Sequence, residues 1–142
     1  MPSLPAVDKP PMNADERRLD AITKQVIGCA YAVSNVLGAG FVEKVYERAM
    51  VVELRTAGLP VAQQHSMTVS YKGSIVGEYI ADMVVADEVI VEIKAVKALD
   101  DIHVAQCMNY LKAPGLHVAL LLNFGKPRVE LRRIVQDFEQ GK

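Results

Sequence analysis

Charged residues interrupt two stretches that otherwise read as buried strands. In Val89-Ile90-Val91-Glu92-Ile93-Lys94-Ala95 a carboxylate and an ammonium stand two positions apart. In Glu78-Tyr79-Ile80-Ala81-Asp82-Met83-Val84-Val85 a second carboxylate sits among apolar neighbours. Strand side chains alternate between faces, so Glu92 and Lys94 share one face. If the stretches pair as a hairpin through the three-residue loop Ala86-Asp87-Glu88, Val85 faces Val89 and, counting back, Asp82 faces Glu92. Directly opposed residues have β-carbons roughly 4.5–5.5 Å apart, close enough for two carboxylates to share one cation that offsets their repulsion. A loop shorter or longer by one residue would throw Asp82 to the other face. Two carboxylates, completed by water and a phosphate, suit Mg²⁺, which takes few protein oxygens and keeps part of its hydration shell. Lys94 would then orient an attacking water or neutralise charge growing on the phosphate. The same pattern also fits a solvated strand edge with Asp82 on an exposed sheet face, and residue types alone leave both readings open.

The surrounding elements must hold these groups. Asn13 followed by Glu16 has the form of a capping box, and Leu19, Ile22, Val26, Ala30, Val33 and Leu37 recur at helical steps until Gly38 and Gly40. A second helical period runs through Val42, Val45, Ala49 and Val52 and closes at Gly58 and Pro60. The period then drops to two, giving strands over Val61–His65, Met67–Tyr71, Ser74–Val85 and Val89–Val96. A third helix starts near Asp101 with Ile102, Ala105, Met108 and Leu111 on its apolar face and stops at Pro114-Gly115. Two more strands follow: His117–Asn123, almost wholly apolar as a central strand is, and Arg128–Val135, alternating as an edge does. The expected fold class is α/β (α+β), a mixed central β-sheet flanked by helices. One domain over 13–135 is expected, between a flexible Pro-rich tail at 1–12 and a C-terminal tail at 136–142.

Bulk properties narrow the chemistry. Sixteen basic and 17 acidic residues leave a net charge of −1, so phosphate affinity must come from a local patch or a metal. Lys97, Lys112, Lys126, Arg128, Arg132 and Arg133 are candidates for such a patch. A hydrophobic fraction of 51% in a short chain points to a homo-oligomer. The start lacks the basic and apolar runs of a signal peptide, and no apolar run is long enough to span a membrane. Cys29 and Cys107 have neither disulfide nor zinc spacing, which makes the cytoplasm the default compartment. No phosphate-binding glycine loop occurs, and no recognised motif assembles a nucleophilic triad. His65 and His117 stand alone and receive no role.

Asp82 followed by Glu92-Ile93-Lys94 resembles the D…ExK signature of the PD-(D/E)xK nuclease superfamily. Gly40-Phe41-Val42-Glu43-Lys44-Val45-Tyr46 resembles GxxExxY, the motif that names a family of small bacterial proteins similar to that superfamily. Gln106-Cys107-Met108-Asn109-Tyr110 resembles the QxxxY motif of the RecB-like and λ-exonuclease-like branches, and Asn123-Phe124-Gly125 is typical of GxxExxY proteins. The likeness runs from about Leu19 to Ile134. It implies a restriction-endonuclease-like core of helix, three strands, helix, strand. It implies a metal, Mg²⁺ or Mn²⁺, held by Asp82, Glu92, the Ile93 carbonyl and Glu43, with Lys94 acting on water or phosphate. Gln106 and Tyr110, four apart on one helix face with His103 beside them, would hold the reactive residues or the nucleic acid. Glu43 also suits a helix start through the helix dipole. The proline usual before the strand aspartate is replaced by Ala81. The implied activity is metal-dependent phosphodiester hydrolysis in DNA or RNA. The alternative is a catalytically weak or inactive oligomeric binding protein, a scaffold on the nuclease fold; the intact acidic positions and lysine argue against that decay.

Overall fold

The computed structural model describes residues 13–136. The expectations for the tails lie outside those residues, apart from Gln136, whose backbone N–H donates to the His117 carbonyl at 2.7 Å. Helix α1 spans Ala14–Leu37 and opens on the Asn13–Glu16 capping box, with Glu16 N–H donating to Asn13 at 2.8 Å and Asn13 N–H to Glu16 at 3.0 Å. Its buried stripe includes Leu19, Ile22, Val26, Ala30 and Val33, the period read from sequence. Gly38, at φ 65°, ends it in a conformation that side chains other than glycine's rarely take. Helix α2 covers Glu43–Thr56.

Strands β1 (Val61–Tyr71), β2 (Ser74–Val85), β3 (Val89–Lys94), β4 (Val118–Asn123) and β5 (Glu130–Val135) form one sheet in the order β1-β2-β3-β4-β5. The first two strand segments expected from sequence are one continuous strand, and β3 ends two residues before the expected Val96. Lys72 and Gly73, both at positive φ, make the two-residue turn between β1 and β2. Helix α3 (Asp101–Lys112) makes the crossover that lets β3 and β4 run parallel; the other neighbouring strands are antiparallel.

The sheet is buried on both faces near its centre. Helices α1 and α2 cover Met83, Val85, Val89, Val91, Ile93, Leu120 and Leu122, while α3 covers Val84, Ile90, Ala119 and Leu121. Strand β4 is buried at every position, which its apolar run dictates. The face of α3 differs from expectation: Cys107 and Leu111 are buried with Val104 and Met108 beside them, whereas Ile102 is 62% exposed and Ala105 is exposed. Arg18 ties α1 to the β2–β3 loop through a two-pronged pair with Glu88, both bonds 2.7 Å.

Candidate active site

The β2–β3 ladder pairs Val85 with Val89, Val84 with Ile90 and Met83 with Val91 across the three-residue loop, and its regular pairing stops there. The next step is made by side chains. Asp82 N–H donates to Glu92 Oε2 at 2.8 Å, and Ile93 N–H donates to Asp82 Oδ2 at 2.7 Å. Each carboxylate thus bridges to the opposite strand's backbone, and the two are brought together where the strands part. Alternation also changes at Asp82. Met83 packs in the α1/α2 core and Val84 in the α3 core, yet Ala81 also belongs to the α3 core and Tyr79 touches Tyr110 of α3. Strand β1 turns over at the same level, because Gln64, flanked by the pairs Gln63–Met83 and His65–Ala81, has φ 50°.

That turn brings two consecutive side chains to one partner. Gln63 and Gln64 both donate to the Glu47 carboxylate, at 3.3 Å and 3.1 Å, which strict alternation would forbid. Lys44 Nζ adds a 3.1 Å bond, so Glu47, only 4% exposed, is a compensated buried charge. Glu43, the acid suggested from sequence, is exposed in the first turn of α2. Glu43, Glu47, Gln64 and Asp82 line one open cleft of about 650 Å³, together with Phe41, Val42, Lys44 and Ala95. Sequence reasoning missed Glu47. The signal available was its place one turn after Glu43 and next to Tyr46.

Tyr46 explains why the helix start is held over the cleft. Its hydroxyl donates to the Gly38 carbonyl and accepts from Phe41 N–H at 3.2 Å, and its ring stacks on Phe124 with centroids 4.7 Å apart. Asn123, fully buried, holds the segment after β3: its amide donates to the Val96 carbonyl (2.9 Å) and to Glu130 (3.1 Å), and its carbonyl accepts from Val96 N–H (2.9 Å) and Gly125 N–H (3.0 Å). Gly125 lies against the Val96 backbone so closely that any β-carbon would overlap it.

Burial and mutual charge set the electrostatics. Glu92 is 6% exposed; burial first, and the Asp82 charge second, push its carboxyl up to about 8. Asp82 is also raised, chiefly by burial, with the charges of Glu47 and Glu43 adding to it; the Ile93 N–H and Lys94 oppose the shift. Lys94, on the Glu92 side of β3, has no ion pair among the described residues. On α3 the buried Cys107 lies within the pair's field, and its thiol is pushed up to about 12, by burial before the charge of Glu92. Tyr110 is half-buried, its phenol raised by burial and then by Glu92. Gln106 is exposed, and His103 serves the helix start, its Nδ1 accepting from Asp100 N–H at 3.2 Å.

Among the described residues no three acidic, histidine or cysteine side chains converge as a ready metal cage. A pair of carboxylates is nevertheless the donor set expected of a hydrated Mg²⁺ site. Each of the two commits one oxygen to a backbone N–H and leaves the other available.

Comparison with known proteins agrees with this fold. The family model described as the PD-(D/E)XK nuclease superfamily matches residues 20–134. The fold is similar to the crystal structure of SSO0001, with TM-score 0.55 and 18% identity over 89% of this chain; the match spans 63% of that one. It is also similar to an alkaline exonuclease from Laribacter hongkongensis, with TM-score 0.50 and 12% identity, covering 89% of this chain and 73% of the exonuclease. No curated protein matches the chain in sequence.

Proposed function

The chain belongs to the PD-(D/E)XK nuclease superfamily, and from that premise we propose that it is a divalent-metal-dependent phosphodiesterase acting on DNA or RNA. The observation that carries the reading is the carboxylate pair. Glu92 is buried and Asp82 half-buried beside it, so the fold bears an electrostatic cost that a bound cation would relieve. Asp82 and Glu92 would hold Mg²⁺ or Mn²⁺ through their uncommitted oxygens. In an extended strand the N–H and C=O of one residue point to the same side. The Ile93 carbonyl, sharing the side of the N–H that reaches Asp82, is therefore a reasonable third ligand.

When bound, such an ion supplies positive charge against the phosphate and lowers the pKa of water at the site. Lys94 brings a further charge to the Glu92 side of β3, where it would meet a phosphate oxygen or the attacking water. Glu47 and Glu43 would complete the acidic wall through ordered water, with Glu47 the better fixed of the two. Gln106 and Tyr110 take the role of holding the substrate strand, Tyr110 from within the field of the pair and Gln106 from the exposed face of α3. The packing of Tyr46 on Phe124 links two motifs and supports membership of the GxxExxY group.

Exposed Tyr71, Ile75, Val76 and Ile80 on the β1–β2 hairpin favour a homo-oligomer. They are also what a binding or scaffold role without turnover would use. Among the described residues no helix is long and apolar enough to cross a membrane, and we take the cytoplasm as the working compartment. The test is cleavage of linear, circular, single- and double-stranded DNA and RNA with and without Mg²⁺ or Mn²⁺. Wild type should cut at least one substrate only with metal, and Glu92→Gln and Lys94→Ala should cut none. Absence of cutting with every substrate would leave the scaffold role.

A further inference from the structure

A groove of about 470 Å³ separates the β1–β2 hairpin from the C-terminal half of α3, lined by Thr68, Val69, Ser70, Tyr79, Asn109, Lys112 and Ala113. The hairpin reaches it through an irregularity. The β1–β2 register shifts between Val69 and Ser70, so three consecutive residues contribute to one wall. Tyr79 is 42% exposed and leans on Tyr110 with ring centroids 5.2 Å apart at 53°, leaving part of its ring free for another flat partner. Lys112 is exposed and has no ion pair among the described residues, and Asn109, Thr68 and Ser70 offer hydrogen-bonding groups on either side. The carboxylate of Glu78, on the same strand as Tyr79, is bonded to Ser66 at 2.7 Å. Tyr79 of the groove wall touches Tyr110, two residues before Lys112 on α3, and Tyr110 in turn lies within the electrostatic reach of Glu92 and Asp82, so the two aromatic rings connect the groove to the side of the carboxylate pair.

An aromatic face, a cation and neutral polar groups along one narrow channel match the chemistry of a single nucleic-acid strand, whose bases stack without sequence preference while its phosphates meet a positive charge. The volume is that of a small-ligand site and has no room for a duplex. We propose that this groove binds a single-stranded segment of the substrate beside the carboxylate pair, with one base against Tyr79 and a phosphate at Lys112. The inference rests on the nuclease reading for its substrate class and adds the form in which that substrate enters.

Binding of a fluorescent oligothymidylate, followed by anisotropy in EDTA so that nothing is cut, tests it. Tyr79→Ala should weaken binding about 5- to 150-fold, the range for one stacked base, and Tyr79→Phe should restore it. Lys112→Ala should reduce the slope of log affinity against log salt by about 0.7, as expected for one lost phosphate contact on a single strand. Helix-dipole compensation by Lys112 in the last turn of α3 would change stability and leave that slope alone. Binding of a matched duplex should be unchanged in both variants. The groove assignment fails if both variants bind the strand like wild type, if duplex binding falls equally, or if wild type does not bind the strand. The nuclease reading stands or falls separately on cleavage. Wild type that binds as described but cuts nothing overturns the nuclease and keeps the groove; metal-dependent cutting with unaltered variant binding does the reverse.

Discussion

Glu92→Gln removes the charge at the centre of the site while keeping an oxygen for the Asp82 N–H. The wild-type carboxyl moves from an ordinary 4.5 to about 8, through burial and then the Asp82 charge. A folded state whose carboxyl pKa is raised holds more protons than the unfolded chain between those values. Stability is therefore full below about pH 4.5 and is lost as pH climbs to about 8. At about 1.4 kcal/mol per pH unit, the loss has a ceiling of about 5 kcal/mol, a large share of the roughly 5–15 kcal/mol that holds a small domain together. Asp82, also raised, acts in the same direction. Asp20, held low by Lys24, and Glu130, held low by Asn123, act below their ordinary 3.8 and 4.5 and leave this window clear. Urea unfolding followed by circular dichroism between pH 5 and 8, without metal, should show wild type weakening steadily. The variant should lose clearly less over the same range, keeping only the part that Asp82 contributes, and be the more stable protein at pH 8. Mg²⁺ at a hundredfold excess over Kd should return about 2.7 kcal/mol to wild type and little to the variant. Wild type as stable at pH 8 as at pH 5 would refute the reasoning.

Glu47→Ala strands the Lys44, Gln63 and Gln64 donors; thermal melts should register a loss of about 2 kcal/mol and cleavage should fall at least tenfold, whereas exposed Glu43→Ala should stay within about 0.5 kcal/mol of wild type. Gly125→Ala drives a β-carbon into the Val96 backbone and should cost about 2 kcal/mol or more, read as a lowered urea midpoint. Light scattering at micromolar concentration should return a multiple of the monomer mass; a monomer there would contradict the oligomer expected from the exposed hairpin residues.

Much of the fold was legible because its signals are local. The Asn13–Glu16 cap, the Gly38 stop and the length of the loop from Ala86 to Glu88 depend on neighbours in sequence, and loop length alone sets the pairing of Val85 with Val89. The exposed face of α3 was misjudged at Ile102 and Ala105, since periodicity says which residues share a stripe but not how the stripe is rotated over a sheet. Asp82 and Glu92 could be aligned by counting, yet their bonds to opposite backbones could not, because counting assumes a ladder that continues past Met83 and Val91. Glu47 was hidden for a related reason. Its burial depends on Gln64 taking a positive φ, which no glycine or asparagine announces at that position. The motif residues Tyr46, Asn123 and Gly125 were visible as a pattern; their work of fixing the helix start and the loop after β3 emerges only from three-dimensional contact.

Everything functional turns on whether Asp82 and Glu92 share a cation. The most direct measurement is anomalous X-ray scattering from crystals of the protein grown with Mn²⁺. The account predicts one strong peak within direct coordination distance of a carboxylate oxygen of each residue, absent in Glu92→Gln crystals grown identically. A Mn²⁺ peak elsewhere with this pair empty, or no peak at saturating metal, would contradict it.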